Sequence, residues 1–356
     1  MIGLMQLSGA VVDLIYRVDR LPRSGGETAA RRFSACPGGG FNAMVAAARA
    51  GLSVAYGGGI GRGALAALVE TGLRDAGIPA LRQDRAALDQ GSCVVFVEPS
   101  GERSFVSCAG AENLATADTL AALPTARWTL LSGYALGGPD RAVLATHVAG
   151  LSTATRLVFD PAPLVAEIPP AILAPILARA DWISANLAEA GVLTGRATDD
   201  HAALSAALLA IAPRATGAVL RVGAQGCWLV LRGDQPRHVP APAVQAIDTN
   251  GAGDTHIGAF IAACDAGAGA ETAARFANAA AALSTTRDGP ASAPKRAEIQ
   301  ALLGQHAASS PASSDANSPA SSDASSDASS GASSTEDPPG DPPETFPTTS
   351  PAISTA

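Results

Sequence analysis

Between Asp248 and Asp254 the chain reads Asp-Thr-Asn-Gly-Ala-Gly-Asp, two carboxylates separated mostly by residues with little or no side chain. Directly after it, Ile257, Phe260, Ile261 and Cys264 recur at three- and four-residue intervals, the spacing of one helical face. The run therefore sits where a helix begins. Backbone amides there lack intrahelical acceptors and carry partial positive charge. Gly251, Ala252 and Gly253 leave such amides bare, which suits an anion, above all a phosphate. Asp254 then stands at the mouth of an anion hole. A carboxylate repels phosphate, so its placement there suggests that it takes the proton from a hydroxyl that attacks phosphorus. A Gly-rich loop with an ordinary helix-start Asp explains the segment equally well when it is read alone.

Other residues of the right chemical type are scattered. Asp13 follows an apolar run, and a carboxylate there can accept two hydroxyl hydrogen bonds from a sugar; a turn Asp is the plainer reading. Gly38-Gly39-Gly40 lets backbone approach a ligand, and Asn42 supplies both a donor and an acceptor. Asn42 is also a natural N-cap for the Ala-rich helix that follows. Asn186 and Glu189 have the spacing of a capping box. The same pair can face phosphate oxygens and a hydrated Mg²⁺, which keeps most of its waters and needs few direct ligands. His256 has no Ser or Asp partner in sequence and reads as packing or local polarity.

Composition removes several classes. Lys295 is the sole lysine among 24 basic residues. No Gly-Lys-Ser/Thr phosphate loop exists, and no strand lysine of the protein-kinase type. Phosphate chemistry here must draw its positive charge from amides, a metal ion or an arginine. The five cysteines, Cys36, Cys93, Cys108, Cys227 and Cys264, are scattered and include no Cys-x-x-Cys pair. Zinc and a disulfide framework are not expected, buried free thiols are, and a reducing cytoplasmic setting follows. The formal net charge of -8 is concentrated in the last fifty residues, so the rest is nearly neutral. Nothing points to nucleic acid or an anionic membrane as partner. No signal peptide or membrane-spanning run is evident. Gly59-x-Gly61-x-Gly63 lacks the dinucleotide spacing and a following acidic residue.

The elements that must hold these residues alternate. Strands are expected at 2–12, 54–59, 128–131, 157–159, 182–184, 219–222 and 227–231, with helical stretches between them, which argues for a mostly parallel sheet covered on both faces. Ligands bind such sheets at the carboxyl ends of strands, where Asp13, Asn186 and the 251–254 run are expected. Residues 91–108 break the rhythm with two alternating runs about Pro99-Ser100-Gly101-Glu102, a β-hairpin. From Ala307 the chain turns to Ser, Ala, Pro, Asp and Thr, with Ala-Ser-Ser-Asp repeated at 320–323 and 324–327. Such a tail is expected to be disordered and solvating.

Taken together the motifs resemble the ribokinase-like (PfkB) carbohydrate kinases, and among them bacterial uncharacterised sugar kinases, over roughly residues 1–303. Residues 38–61 (GGGFNAMVAAARAGLSVAYGGGIG) and 248–267 (DTNGAGDTHIGAFIAACDAG) carry the two signature regions; 184–195, 221–229 and 276–289 support them. The resemblance implies an α/β fold, an αβα sandwich with a mostly parallel sheet. It divides the chain into a kinase domain at 1–305, with a small β-lid from about 14–35 and 91–110, and a tail at 306–356. It implies ATP and Mg²⁺, with Asp254 as general base and Gly251, Ala252 and Gly253 as anion hole. Asp13, Gly39, Gly40 and Asn42 would hold the sugar, and Asn186 and Glu189 would serve phosphate and metal, Glu189 through water. Gly223 and Gly226 would line the nucleotide cleft, with Asn278 near the base. Asp248, the Asn250 backbone and the loop at 285–289 would surround a monovalent cation such as K⁺, as in some members. Members often form homodimers through the lid. This chain departs from the common pattern at His256 (usually Phe), Asn250, Arg62 and Gly63. The expected activity is ATP-dependent phosphorylation of a hydroxyl on a small sugar or sugar-like molecule. A nucleoside kinase of the same fold, and a non-catalytic sugar-binding protein, are the alternatives.

Overall fold

Alternation of apolar side chains along the strands builds two cores, one on each face of a large sheet. In the computed structural model, which describes residues 1–82, 86–197, 199–289 and 291–309, the chain begins with β1 (Ile2–Gln6), β2 (Ala10–Val18) and β3 (Ala30–Gly39). Helix α1 (Gly40–Arg49), β4 (Val54–Tyr56) and α2 (Ala64–Asp75) follow, then the hairpin β5 (Ser92–Val97) and β6 (Arg103–Cys108). Next come α3 (Ala117–Ala121), β7 (Ala126–Ser132), α4 (Arg141–Ala149), β8 (Arg156–Asp160), α5 (Pro170–Arg179) and β9 (Trp182–Asn186). The described chain ends with α6 (Leu187–Thr194), α7 (His201–Ala210), β10 (Gly217–Arg221), β11 (Cys227–Leu231), β12 (Arg237–Val239), α8 (Ala252–Asp265), α9 (Ala270–Thr285) and α10 (Arg296–Ser309). All of this lies in one unit, Met1–Ser310; the acidic tail expected at 306–356 falls, from residue 310 onward, outside the described residues.

The main sheet runs β12-β11-β10-β9-β8-β7-β1-β4, with β11 antiparallel to both neighbours and every other pairing parallel. Trp128, Leu130, Val158 and Trp182 point into a core shared with α1, α8 and α9. Leu131, Leu157, Phe159 and Ile183, one residue out of phase, point into the core under α4, α5 and α7. Period-two alternation thus buries both faces.

Two expectations need correction. The strand expected at 2–12 is two strands in two sheets: the chain leaves the main sheet after Gln6, passes Ser8-Gly9, and enters a second sheet ordered β3-β2-β5-β6. Asp13 therefore lies inside a lid strand rather than at a strand's carboxyl end. Also, no helix separates 219–222 from 227–231; a single 3₁₀ turn, Gly223–Gln225, folds β10 back onto β11. The hairpin at 91–108 is present, antiparallel from Ser92 opposite Cys108 to Val97 opposite Arg103.

With few aromatics available, helix packing depends on small side chains. Helix α8 lies against α1 so closely that a Cβ on Gly258 would fall 2.3 Å from the Ala43 carbonyl oxygen. A side chain there must push two backbones apart. Gly258→Val is expected to lower the unfolding free energy by about 2 kcal/mol or more, read by urea denaturation; an unchanged midpoint would refute this close-packing account.

Candidate active site

The tip of α8 is set by Gly251, whose left-handed φ of 72° turns the chain into the helix with no side chain capping it. A residue with a Cβ is strained in that conformation. Of the three amides expected to be bare, that of Ala252 makes a long turn bond to the Thr249 carbonyl at 3.3 Å. No hydrogen bond from the amides of Gly251 or Gly253 is found among the described residues.

Asp254, in the first turn, points toward α1. Its Oδ2 accepts from Asn42 Nδ2 at 3.2 Å, while Asn42 Oδ1 accepts from the Ala291 amide at 2.9 Å. Asn42 is therefore not the cap expected of it: Gly39 caps α1, and Asn42 is buried within its first turn, spanning two segments. Burial pushes the Asp254 carboxyl up to about 7, with the nearby Asp160 adding to the rise and Asn42 and Arg221 opposing it. A carboxyl poised near neutrality suits a general base.

A cavity of about 280 Å³ opens beside it, lined by Asp254, Asn42, Asp13, Gly39 and Asn250 on one side. Val95, Phe105, Tyr134, Leu164, Cys93, Ser107, Glu112 and Asn113 form much of the rest. Asp13 reaches it because Gly38 on β3, paired with Val11 two residues before Asp13, has no side chain; a Cβ there would fall 2.2 Å from Asp13 Oδ2. Burial raises the Asp13 carboxyl to about 6 against the opposing contact from Asn250 Nδ2, at 3.5 Å. Gly40 does not line the cavity. Its amide donates to the Gly9 carbonyl at 2.9 Å, and a Cβ there would meet the Gln6 side chain at 2.6 Å. It is a close-packing glycine.

On the far side of the helix tip, three strand ends converge. Asn186 and Glu189 form a complete capping box: Asn186 Oδ1 accepts from the Glu189 amide at 2.9 Å, and the Asn186 amide donates to Glu189 Oε2 at 2.8 Å. Glu189 is only 4 % exposed. Its Oε2 also meets Arg221 Nη2 at 3.2 Å, and the same nitrogen lies 3.4 Å from Asp160 Oδ1. Burial pushes both carboxyls upward and the shared guanidinium opposes that. Arg221 also runs alongside the α8 tip, 3.7 Å from where a Gly253 Cβ would be. Sequence reading missed Asp160 and Arg221, although each ends a strand, the same signal that picked out Asn186. Glu112, which accepts from the Gly91 and Gly110 amides at 2.7 and 2.8 Å, sits in a 3₁₀ turn that no local pattern announces.

The nucleotide-side residues divide. Gly223 faces open space beyond Arg221, but a Cβ on Gly226 would fall 2.3 Å from the Val239 carbonyl, so Gly226 is packed against the end of β12. Asn278 is 2 % exposed; its amide donates to the Val239 carbonyl at 2.8 Å and its Oδ1 meets His256 Nε2 at 3.1 Å. Its side chain is a fastener within the core. That contact leaves His256 buried with Nδ1 unpartnered, and burial lowers its pKa to about 3, so it is neutral and structural.

Asp248 is paired with protein. Its Oδ1 accepts from Arg103 Nη1 at 3.2 Å and from the Asn250 amide at 2.9 Å, its Oδ2 from the Gly289 amide at 3.3 Å, and Arg17 Nη2 lies 3.9 Å away. The loop at 285–289 does meet it, through the Asp248 amide and the Thr285 carbonyl at 3.0 Å. The cysteines are all free, yet only Cys227 is buried, and the hairpin register sets Cys93 opposite Ser107 rather than Cys108. Among the described residues no cluster of three metal-ligating side chains occurs, and no helix is long and apolar enough to cross a membrane.

The chain as a whole is similar to known proteins. The uncharacterized sugar kinase YegV of Escherichia coli (strain K12) is 32% identical over 305 residues, covering 83% of this chain and 92% of that protein. The structure of Arabidopsis thaliana ribokinase complexed with ribose and ATP superposes with a TM-score of 0.72 at 26% identity, over 85% of this chain and 99% of that one. A nucleoside kinase of Burkholderia thailandensis, solved with inosine, shares the fold at 19% identity and a TM-score of 0.68, over 85% of this chain and 96% of that one. The family description "pfkB family carbohydrate kinase" matches residues 3–296, and the chain belongs to the pfkB family of carbohydrate kinases.

Proposed function

We propose that this chain transfers the terminal phosphoryl group of ATP to a hydroxyl of a small sugar held in the 280 Å³ cavity, with Asp254 as the base. The observation that carries the reading is the position of Asp254. It lines the cavity on one side and belongs to the first turn of a helix whose uncapped tip lies beside Arg221 on the other. A sugar whose other hydroxyls bond Asp13 and Asn42 would present its acceptor hydroxyl to the Asp254 carboxylate, which takes the proton as the oxygen attacks the terminal phosphorus and the bond to the ADP oxygen breaks. The phosphoryl group, moving between ATP and acceptor, gains charge stabilisation from the Gly251 and Gly253 amides and from the Arg221 guanidinium. Arg221 thereby supplies the charge that a lysine supplies in phosphate loops. The lid strands β2, β5 and β6 wall the cavity and keep water from competing as acceptor.

The donor set fits a hydrated Mg²⁺ better than a directly bound one. Asp160 and Glu189 are two buried carboxylates already sharing one guanidinium. They would hold the ion through its waters, with Asn186 alongside. When bound, Mg²⁺ neutralises charge on the phosphate oxygens.

A nucleoside acceptor is the second reading, because Phe105, Tyr134 and Leu164 give the cavity an apolar wall on which a base could stack. ADP release measured across pentoses, hexoses and nucleosides decides between them. Turnover with a free sugar supports the first reading, and turnover confined to nucleosides supports the second. If no panel member releases ADP, the phosphotransfer reading fails.

Asp254→Asn is expected to lower kcat by about 10²–10⁴ while leaving acceptor KM nearly unchanged. Asp254 accepts a proton only when ionised, so kcat/KM should rise with pH through about 7 and fall away below it. The variant should lack that acid limb. Wild-type-like turnover in the variant would remove Asp254 from the mechanism. Arg221→Gln should lower kcat by about 10–10³ and raise KM for ATP, since it strips charge from the phosphoryl path and leaves Asp160 and Glu189 unneutralised. Unchanged ATP kinetics would refute that role.

A further inference from the structure

The strand register of the lid puts four side chains in one row across the sheet: Arg32 opposite Arg17, Arg17 beside Val97, Val97 opposite Arg103. Asp13 lies four residues along β2 from Arg17, so the row shares the face that lines the acceptor cavity. Its arginines meet acids on the two loops behind the helix tip. Arg103 bonds Asp248 and also Thr249 Oγ1; Arg17 pairs with Asp288 and lies 3.9 Å from Asp248; Arg32 holds Asp288 at 3.0 Å. The central pair is largely out of solvent, with the Asp248 and Arg103 side chains 11 % and 17 % exposed.

The family resemblance implies a monovalent cation among these same loops, and the residues do not fit one. Both Asp248 oxygens are occupied by donors, and the Thr285 carbonyl accepts from the amides of Ile247 and Asp248. An alkali ion there would sit against two guanidinium groups in a poorly solvated pocket, where like charges repel strongly. We propose that the Arg103 guanidinium, backed by Arg17, takes the place of that cation, so that the chain works without K⁺ and the positive charge is delivered by the lid. Rigid delocalised charge with several donors suits such a fixed role better than an exchangeable ion. Arg103 and Arg17 are positioning residues: they touch the loop that ends at Gly251, not the reactants. Closing the lid and setting the helix tip become one event. The inference rests on the kinase reading for its effect on turnover, but not for the occupancy of the site.

The test compares KCl with tetramethylammonium chloride, an ion too large for the site, at equal ionic strength. Wild-type melting temperature and ADP release should both be insensitive to the exchange. The Arg17→Ala/Arg103→Ala double variant should turn over about tenfold more slowly in tetramethylammonium. K⁺ should restore much of that loss and raise the variant's melting temperature by about 2 °C. Arg103→Lys, which keeps a charge, should remain K⁺-insensitive. Merely structural arginines would give a variant with no gained K⁺ response, and that result overturns the proposal, as does K⁺ activation or stabilisation of the wild type. If the double variant does not fold, Arg103→Met is read in the same way. The melting comparison needs no turnover, so failure of the kinase reading would be seen separately.

Discussion

A carboxylate beside an anion-binding helix tip is repelled by whatever the tip holds, and the site is arranged around that conflict. Asp254 is held by Asn42, which is anchored in turn by the Ala291 amide. Arg221 flanks the tip on the other side, and Asp160 and Glu189 share its charge. In the proposed mechanism the base and the phosphate groups occupy opposite sides of one helical turn. Burial keeps Asp254 near neutrality, where it exchanges a proton most effectively. The tight contact between Gly258 and Ala43 fixes the distance between the helices that carry Asp254 and Asn42. A chain poor in aromatics and rich in Ala and Gly is suited to such close approach.

Much of this was legible in the sequence because it is local. Strands at 126–132, 156–160, 182–186 and 217–221 show in short apolar runs, and the hairpin at 92–108 shows in its alternation and turn. The Asp248 to Asp254 run announces its helix start. The misreadings share one physical origin, which is partnership with distant chain. Asp13 looks like a residue at a strand end, but the chain crosses to another sheet at Ser8-Gly9. Asn42 looks like a cap, but the tertiary bond to Asp254 places it inside α1. The packing of Gly40 against Gln6, and of Gly226 and the Asn278 side chain against the end of β12, likewise involves distant chain and is invisible locally. Arg221 was unmarked among many arginines because its significance comes from three strand ends meeting.

Charge placement in the lid follows the same logic. Acidic loops behind the helix tip would weaken its grip on an anion if left unbalanced. The arginine row on β3, β2 and β6 balances them from the far end of the face that covers the acceptor cavity. In the proposed mechanism acceptor binding, lid position and electrostatics at the tip are therefore properties of one connected surface.

The most direct test of the account is a crystal structure with ADP, an aluminium or beryllium fluoride mimic of the phosphoryl group, and an acceptor identified by screening. The account predicts the fluoride atoms within hydrogen-bond reach of the Gly251 and Gly253 amides and of Arg221, with an Asp254 oxygen on the acceptor hydroxyl. A mimic seated elsewhere, or an Asp254 turned away from the acceptor, would contradict it.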